Sequence, residues 1–371
     1  MKILYVGHYK ENSGWSKAAI DLIQAIDSAG IDVVCRNIKL TPSSYHIPNK
    51  IHELESKDLN NVDVCIQHLL PHHLVSTSKF KKNIAYYVGE STTLKYNTWK
   101  TILNCMDEIW VPNQTQLHHM RNDGFANLQY IPHAFDLSKY TKDNGIKINF
   151  GDKNETFKFY YIADLNERKN IESIIKCFHS EFHRHEPVSL ILKVKKFGVH
   201  PEKLRENIQN VCNGIKKTLR IYPEIQDYHQ EIIITEDMSS DEIDSLHTSC
   251  DCMINATHGE GWSIPSFEAM CFGKTPICSN EGGPKEYISN TNVGTLISGT
   301  YGVCDHSDSA FPNIFTGRES WFVPNESEIK SAMRFYYENK HNINRKAGLE
   351  AAQKFSYNNV GNKIKELLHV E

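Results

Sequence analysis

Short apolar runs alternate with amphipathic segments along the whole chain, and this alternation limits the fold more than any other feature of the sequence. Residues 3–6 form an apolar run that ends at Gly7, and from Trp15 onward the apolar side chains recur at helical spacing until Gly30. A second apolar run follows at 31–35. A strand, a helix of about 15 residues and a second strand make a βαβ unit, which predicts a parallel sheet.

The same alternation recurs on both sides of a polar stretch at 137–157, which is typical of a linker between domains. We predict strands at 62–66, 83–88, 108–111, 157–162, 188–194, 231–234, 252–255 and 276–278, helices at 113–122, 170–182, 202–219, 240–249 and 265–272, and a long loop at 301–321. The 371 residues suit two domains of about 100–200 residues each. We therefore expect doubly wound α/β domains at 1–145 and 146–355, and a terminal helix at 356–371 that packs back toward the first domain.

The composition argues against several classes of function. The formal net charge is −4, so we expect no overall attraction to nucleic acid or anionic membranes. The ten cysteines show no paired CxxC framework, which favours a reducing, cytoplasmic location. The opening residues do not resemble a signal peptide and no run reaches the ~18 apolar residues of a transmembrane helix, so any membrane contact would be peripheral. Adjacent histidine pairs are poor metal ligands, and we expect no metal site.

The most informative segment is 255–273, where a strand end, a glycine-containing loop and a helix start follow one another. Gly259 and Gly261 flank Glu260 and allow the backbone to approach a ligand closely. Ser263 is the predicted N-cap of the helix. A helix N-terminus offers N–H groups and partial positive charge to anionic oxygens, and a carboxylate accepts hydrogen bonds from sugar hydroxyls. Such loops, at the carboxyl ends of strands, bind ligands in open α/β sheets.

A second segment, 160–170, is also a strand end, a loop and a helix start, and it carries adjacent cations. Arg168 and Lys169 stand where they could stabilise the negative charge that develops on a leaving nucleoside diphosphate. The alternative is that these are two solvated surface charges at a helix start. Lys193 and Lys195 follow an apolar run and are further candidates at a strand end.

One group of residues in the second half resembles a known family signature. These residues are Glu260, Glu268 after seven intervening residues, Ala269, Met270, Gly273, Pro276, Gly282, Gly283 and Glu286. In its strand–loop–helix context the pattern resembles the signature of the family-four retaining glycosyltransferases. The resemblance implies the GT-B fold, with two Rossmann-like domains facing across a cleft, and a hexosyltransferase of class EC 2.4 that takes a nucleotide diphosphate sugar. It also implies that neither a metal nor a cofactor is required, because such enzymes neutralise the diphosphate with side chains and helix ends.

The resemblance also implies roles for individual residues. Glu260 would contact the hydroxyl groups of the transferred sugar, and Glu268 would bind the ribose. The donor would be lined by the loop and helix start, at Gly259, Gly261, Trp262, Ser263 and Ile264. Lys169 matches the family's lysine, whereas Asp164 stands where the family has an arginine, and Arg168 would supply that charge from another backbone position.

The first half is expected to hold the acceptor. Gly14, in the first βα loop, resembles the family's glycine-containing loop that faces the donor. Glu90, at the end of a predicted strand, would line the acceptor pocket or fix the catalytic geometry, and a solvent-facing carboxylate is the alternative. His133 and Asp136 are predicted to be structural rather than catalytic.

Two other functions stay open on the sequence alone. One is a nucleotide-sugar epimerase or hydrolase of the same fold, and the other is a non-catalytic, donor-binding scaffold subunit, which Asp164 would suit. The sequence does not determine the sugar, the base, the linkage or the oligomeric state. The acceptor could be a glycan, a lipid-linked sugar, a protein, a small molecule or a modified nucleic acid.

Overall fold

Parallel β-sheets organise both halves of the chain. The computed structural model describes residues 1–40, 46–141, 146–151, 156–304, 316–340 and 346–369. The chain divides into two compact units. Unit 1 comprises Met1–Lys139 and Ala352–Glu371, and unit 2 comprises Tyr140–Ala351. These divisions lie a few residues before the boundaries predicted after 145 and 355.

Unit 1 is built on a parallel sheet. Its strands are β1 (Lys2–Gly7), β2 (Asp32–Asn37), β3 (Val64–His68), β4 (Lys82–Tyr86), β5 (Glu108–Val111) and β6 (Leu128–Tyr130). Their order is β2-β1-β3-β4-β5-β6. The second strand therefore lies on one side of β1, and the chain then crosses to the other side of β1 to form β3. The helices of its first part are α1 (Gly14–Ser28), α2 (Asn49–Ser56), α3 (Trp99–Leu103) and α4 (Gln114–Asn122).

Local capping signals fix where two of these helices begin. Ser13 Oγ accepts a hydrogen bond from Ser16 N at 3.2 Å at the start of α1. Asn113 Oδ1 accepts one from Gln116 N at 2.7 Å at the start of α4, as the sequence predicted. After α1 the chain turns at Gly30, whose φ of +77° costs glycine little.

Unit 2 contains a second parallel sheet. Its strands are β7 (Phe157–Asp164), β8 (Val188–Lys195), β9 (Ile232–Ile234), β10 (Cys252–Asn255), β11 (Ile277–Ser279) and β12 (Thr295–Ile297), in the order β12-β11-β10-β7-β8-β9. An antiparallel pair follows, β13 (Gly299–Val303) and β14 (Ser320–Pro324). The helices are α5 (Ile171–Glu181), α6 (Pro201–Leu219), α7 (Ser240–Ser249), α8 (Ile264–Cys271), α9 (Pro284–Tyr287), α10 (Glu326–Glu338) and α11 (Ala347–Ala352).

The last helix, α12 (Tyr357–Leu367), packs on α1 within unit 1. The two helices approach so closely that a Cβ added at Gly361 would lie 2.2 Å from the carbonyl oxygen of Ala25. The Tyr357 hydroxyl donates to Asp21 Oδ1 at 2.5 Å and accepts from Gln24 Nε2 at 3.0 Å. Glycine and a hydrogen-bonded tyrosine therefore attach this C-terminal segment to the first helix.

Strands β7 and β8 are buried on both faces, which explains why they appear in the sequence as continuous apolar runs. Phe159, Tyr161 and Leu192 belong to a core cluster that includes residues of α5, α6 and α10. Tyr160 and Ile191 point to the opposite face and pack in a second cluster with residues of α7, β10 and α8.

The predicted elements of unit 2 occur close to their predicted bounds, and the predicted loop at 301–321 is wrong at both ends. Residues 301–303 belong to β13 and residues 320–321 to β14. All positions of β13 are exposed or half-buried, and β14 has the adjacent buried residues Trp321 and Phe322, so neither strand shows an apolar alternation with a period of two. Residues 305–315 of this loop, and 142–145 and 152–155 of the predicted linker, lie outside the described residues.

Three further observations concern membrane-spanning helices, metal sites and cysteines. No helix in the described ranges combines the length and the hydrophobicity needed to span a bilayer. Over the same ranges, no three or more His, Cys, Asp or Glu side chains are grouped so that they could hold a metal ion. All ten cysteines are described, and all are free thiols.

Candidate functional site

The candidate site of unit 2 lies where its strand order reverses. β7 pairs with β8 on one side and with β10 on the other, and all three strands are parallel. Their carboxyl ends therefore meet at one edge, with the loop 165–170 after β7 beside the loop 256–263 after β10. Ligands of doubly wound sheets bind in the crevice at such a switch point.

Backbone and amide hydrogen bonds join the two loops. His258 N donates to the Arg168 carbonyl oxygen at 2.8 Å, and Asn170 Nδ2 donates to the Ala256 carbonyl oxygen at 2.8 Å. Asn170 also has a φ of +53°, which asparagine tolerates better than most residues. The Tyr161 hydroxyl, on β7, donates to the Lys169 carbonyl oxygen at 3.2 Å. The geometry of one loop therefore depends on the other.

The charged side chains of the two loops meet directly. Lys169 Nζ lies 2.6 Å from Glu260 Oε1, and Arg168 Nη1 lies 3.7 Å from the same oxygen. Arg168 Nη1 also donates to the Gly259 carbonyl oxygen at 2.6 Å, so the guanidinium helps to hold the loop. The Lys169 side chain is 16% exposed, against 9% for Arg168, and is the more accessible of the two cations.

The pKa of Glu260 is held below its ordinary value. Burial would raise it, but the charges of Lys169 and Arg168, with hydrogen bonds from Lys169 and Asn255, more than offset that effect. Glu260 is therefore a carboxylate at neutral pH, able to accept hydrogen bonds and unable to donate one.

The Gly282-Gly283 pair supports the loop after β10 from behind. A Cβ at Gly282 would lie 2.0 Å from the Glu260 carbonyl oxygen, and one at Gly283 would lie 2.2 Å from Trp262 Cα. Gly283 N donates to the Glu260 carbonyl oxygen at 3.1 Å. The loop backbone occupies the space that any side chain at these two positions would need. This steric constraint explains why both residues are glycine.

We expect Gly283→Ala to displace residues 260–262 and to weaken nucleoside diphosphate binding by about tenfold or more, with a stability loss of roughly 1–3 kcal/mol from overpacking. Isothermal titration with nucleoside diphosphates would measure the first effect and urea unfolding the second. Gly214→Ala in α6 is the matched control, because a Cβ there meets nothing within 4 Å. It should leave binding unchanged and stabilise the helix slightly. Equal binding by both variants would show that the loop does not depend on Gly283.

The start of α8 differs from the predicted side-chain cap. Ser263 occupies the N-cap position with a φ of +65°, and its hydroxyl does not accept from the helix backbone. The hydroxyl instead donates to Ser266 Oγ at 2.7 Å and accepts from Asn255 Nδ2 at 2.5 Å. Tyr287, on α9, contacts the Ser263 carbonyl oxygen through its hydroxyl at 3.2 Å. Buried side chains thus hold the start of α8. Because the Ser263 hydroxyl does not accept from the helix backbone, the backbone N–H groups at the start of α8 can donate to another acceptor.

Strand β14 supplies a support that the sequence did not predict. His258 Nδ1 lies 2.8 Å from the Phe322 carbonyl oxygen, and Phe322 N donates back to the His258 carbonyl oxygen at 3.0 Å. Since a carbonyl oxygen only accepts, we assign the imidazole proton to Nδ1. The His258 ring also stacks on Trp321, with an interplanar angle of 6°. In the sequence, the adjacent aromatic residues at 321–322 could have indicated this support.

Glu268 and Asp164 contact residues outside the Lys169–Glu260 pair. Glu268, in α8, is 4% exposed, accepts from the Tyr140 hydroxyl at 3.3 Å and lies 3.9 Å from His247 Nε2. Asp164, at the end of β7, is more than half exposed and lies 3.7 Å from Lys195 Nζ. An exposed carboxylate therefore occupies the position where the resemblance to the family implies an arginine.

The remaining predicted site residues occupy defined places in each unit. Gly259, Gly261 and Trp262 are buried in the loop after β10, and Ile264 is the first residue of α8. Gly14 is the first residue of α1 in unit 1 and is exposed. Glu90 is half-buried in the loop after β4.

Unit 1 has its own switch point, between β1 and β3, and histidines gather there. His8 follows β1 and His68 ends β3, and both are almost fully buried. Trp15 lies beside both rings, with centroids 6.0 Å from His8 and 5.1 Å from His68. Burial lowers the pKa of His8 and of His68, and lowers that of His133 to about 3. The sequence predicted a structural role for His133 but did not predict that these histidines would cluster.

A comparison with protein-family models finds a match within unit 2. Residues 145–301 match the family model described as glycosyl transferases group 1. The matched span contains both loops at the switch point and all of α8. A comparison with the curated proteins finds no match.

Solved structures share the fold at low sequence identity. Anabaena HepE, in complex with UDP-glucose, is 15% identical with a TM-score of 0.64, and 100% of each chain is covered. Sucrose-phosphate synthase from Thermosynechococcus elongatus is 13% identical with a TM-score of 0.66, covering 100% of this chain and 98% of the other. A glycosyltransferase from Rickettsia africae is 15% identical with a TM-score of 0.63, covering 100% and 99%. The fold is the GT-B fold, with two Rossmann-like α/β units, as the sequence predicted.

Proposed function

We propose that this chain, whose residues 145–301 match the model of the group 1 glycosyltransferases, is a retaining glycosyltransferase that moves a hexose from a nucleotide diphosphate sugar to an acceptor hydroxyl group. The Lys169–Glu260 contact at the switch point of unit 2 carries this proposal. A cation and an ionised carboxylate at one place meet two needs of such a donor. The cation neutralises the diphosphate, and the carboxylate accepts hydrogen bonds from the sugar.

The surroundings of this pair suit a diphosphate. The start of α8 has no side-chain cap, and its backbone amides and partial positive charge favour an anion. Lys169 ends in a flexible, partly exposed ammonium group that can turn from Glu260 to a phosphate oxygen. Arg168 stays with the Gly259 carbonyl oxygen and adds positive charge from a fixed position.

The proposed step forms and breaks one bond each at the anomeric carbon. The bond to the diphosphate oxygen breaks, the acceptor oxygen bonds to the same face of the carbon, and the acceptor's proton passes to the departing phosphate oxygen. The protein contributes by holding the reactants in place and by stabilising the charge of the leaving group. Glu260 holds the sugar hydroxyls while the ring gains positive character.

The acceptor is proposed to bind unit 1 at the switch point between β1 and β3. Histidines with lowered pKa values are neutral there and offer hydrogen bonds without charge. The ring of Trp15 adds an apolar face, which suits a sugar ring. We propose that Glu90 borders this site, that Gly14 belongs to a loop that faces the donor, and that Glu268 binds the donor's ribose.

A nucleotide screen tests the proposal. HepE was crystallised with UDP-glucose, so UDP and UDP-glucose are the first compounds to test, followed by the other nucleoside diphosphates and their sugars. A bound ligand raises the melting temperature, and saturation at 100 Kd adds about 2.7 kcal/mol to the stability. We expect at least one nucleotide sugar to raise the melting temperature. If none does, the proposal is wrong.

Product analysis then separates the related functions. The donor that binds is incubated with and without a panel of acceptor sugars, and the anomeric configuration of the product is read by NMR. Transfer with retention supports the proposal. Free sugar regardless of acceptor indicates a hydrolase, an altered sugar indicates an epimerase, and binding without turnover indicates a scaffold.

A further inference from the structure

His247, on α7, is a buried histidine that has no part in the transfer step proposed above. The residue is 0% exposed. Its Nε2 atom is buried and makes no hydrogen bond within the part of the chain that the structure describes. Leaving a buried polar atom unpaired is costly, and the large majority of such atoms in folded proteins have a partner. The surroundings of this nitrogen therefore indicate what the histidine is for.

The other ring nitrogen determines the tautomer of His247. Nδ1 lies 2.7 Å from the hydroxyl oxygen of Tyr160, on β7. Burial raises the pKa of Tyr160 well above its ordinary value, so the hydroxyl keeps its proton. Among the described residues, Nδ1 is the acceptor within reach of that proton. We therefore assign Nδ1 as the acceptor, which leaves the proton of the neutral imidazole on Nε2.

The carboxylate of Glu268, on α8, is the charged group beside this N–H. Nε2 lies 3.9 Å from Oε2, about 1 Å longer than a hydrogen bond. The other carboxylate oxygen accepts from the Tyr140 hydroxyl at 3.3 Å, which is also long for a bond of this type. A carboxylate has about four lone-pair sites, so Glu268 can accept from His247, from Tyr140 and from two further hydroxyl groups.

Packing fixes the imidazole ring more firmly than the carboxylate. The His247 ring stacks on Phe272, with centroids 5.6 Å apart and an interplanar angle of 22°. The ring of Tyr160 lies edge-on to it, with centroids 5.5 Å apart. The Glu268 carboxylate stands at the end of a longer side chain with more rotatable bonds. A shift of the carboxylate, and not of the ring, would therefore close the gap between Nε2 and Oε2.

We propose that His247 is a positioning residue whose Nε2–H group holds the Glu268 carboxylate where it accepts hydrogen bonds from the ribose hydroxyls of the donor. This inference rests on the proposed function, which assigns the ribose to Glu268, and adds the residue that orients that carboxylate. When the ribose hydroxyls donate to Glu268, the carboxylate moves onto Nε2–H and the buried nitrogen gains its partner. A neutral N–H group orients the carboxylate without cancelling the negative charge that makes it a strong acceptor.

Titration calorimetry of the full chain tests this role. The ligands are UDP, GDP and ADP, each beside its 2′,3′-dideoxy form, and inorganic pyrophosphate. The ratio of the affinity for a nucleoside diphosphate to the affinity for its dideoxy form is the ribose preference. We expect a ribose preference of roughly 10- to 100-fold from wild-type protein, the value of hydrogen bonds to a charged acceptor.

His247→Phe keeps a ring against Phe272 but has no N–H group. We expect it to lower the ribose preference by about tenfold, the value of one hydrogen bond to a charged group, and to leave pyrophosphate binding unchanged. His247→Gln should retain more of the preference than His247→Phe, because a carboxamide can accept from Tyr160 and donate to Glu268. Glu231→Gln is the matched control, since it alters a buried ion pair of the same unit and should lower stability without changing the ribose preference.

The other outcomes separate this inference from the proposed function. If His247→Phe keeps the wild-type preference, if it weakens pyrophosphate binding as strongly as UDP binding, or if His247→Gln is no better than His247→Phe, the positioning role is overturned and the proposed function stands. If Glu268→Gln keeps the wild-type preference, the assignment of the ribose to Glu268 is wrong and this inference falls with it. If no nucleotide binds the wild type, the proposed function itself fails. Should His247→Phe not fold, the double variant with Tyr160→Phe replaces it, because it leaves neither member of the buried pair without a partner.

Discussion

Lys169→Ala is expected to lower the rate of donor turnover by about 10²–10³-fold, and to weaken nucleoside diphosphate binding as well. The Lys169 ammonium group is more accessible than the Arg168 guanidinium and lies 2.6 Å from Glu260 Oε1. Arg168 cannot replace it, because its guanidinium is buried and donates to the Gly259 carbonyl oxygen at 2.6 Å. Release of nucleoside diphosphate from the donor found in the screen measures turnover, and calorimetry measures binding.

Glu260→Gln should lower turnover comparably but should not weaken nucleoside diphosphate binding. The carboxylate competes with the diphosphate for Lys169 in the ligand-free protein, so its removal makes the ammonium group available. The same substitution removes an ionised acceptor for the sugar hydroxyls. Weaker binding of the same ligand in Lys169→Ala but not in Glu260→Gln distinguishes a functional pair from a salt bridge that serves only the fold.

Lys176→Ala is a matched control for both variants. Lys176 lies on α5, seven residues after Lys169, and pairs with Glu326 on α10 at a partly exposed position. We expect wild-type turnover from this variant, because exposed ion pairs contribute little. If Lys169→Ala and Glu260→Gln both retained wild-type turnover, the assignment of the site would be wrong.

Glu231→Gln is expected to lower the free energy of unfolding by about 3–5 kcal/mol, the usual cost of leaving a buried charge unpaired. Lys216 Nζ lies 2.9 Å from Glu231 Oε2, and both side chains are 0% exposed. His179 Nε2 contacts the other carboxylate oxygen. Burial would raise the pKa of Glu231, but the hydrogen bond and charge of His179, together with Lys216, hold it below its ordinary value. Glu231 is therefore a carboxylate at neutral pH.

Urea unfolding followed by circular dichroism would measure this loss. Glu206→Gln is the control on the same helix as Lys216, because its pair with Lys203 is exposed, at 61% for each side chain. It should change the stability by less than ~0.5 kcal/mol. Combining Glu231→Gln with Lys216→Met should recover part of the loss, since no unpaired charge then remains. A double variant as unstable as the sum of the single ones would show that the two groups act independently.

Several parts of the site could be predicted from the sequence because they are local. The βαβ alternation gives the strands and helices, and the loops that bind ligands follow the strands in any doubly wound sheet. Glu260 between Gly259 and Gly261, and the cations at 168–169, could therefore be assigned to strand-end loops without coordinates. The Asn113 cap is also local, since its partner is three residues away.

Other parts depend on neighbours that are distant in sequence. Ser263 looks like a cap, but Asn255 and Ser266 compete for its hydroxyl, and only the folded loop decides between them. The support of the loop by Gly282 and Gly283 is visible only once the loop backbone is in place. Strands β13 and β14 escaped prediction because their stability comes from pairing with each other and not from an apolar period.

The sequence by itself determined that this chain folds as two doubly wound α/β units and which residues follow the strands of the second unit. Only the tertiary structure decided that Lys169 and Glu260, 91 residues apart, form one ion pair, and that Lys193 lies buried in the ladder beside Ile234. The reason is that hydrophobic periodicity is a property of consecutive residues, whereas strand order and register bring together residues that carry no mark of one another in the chain.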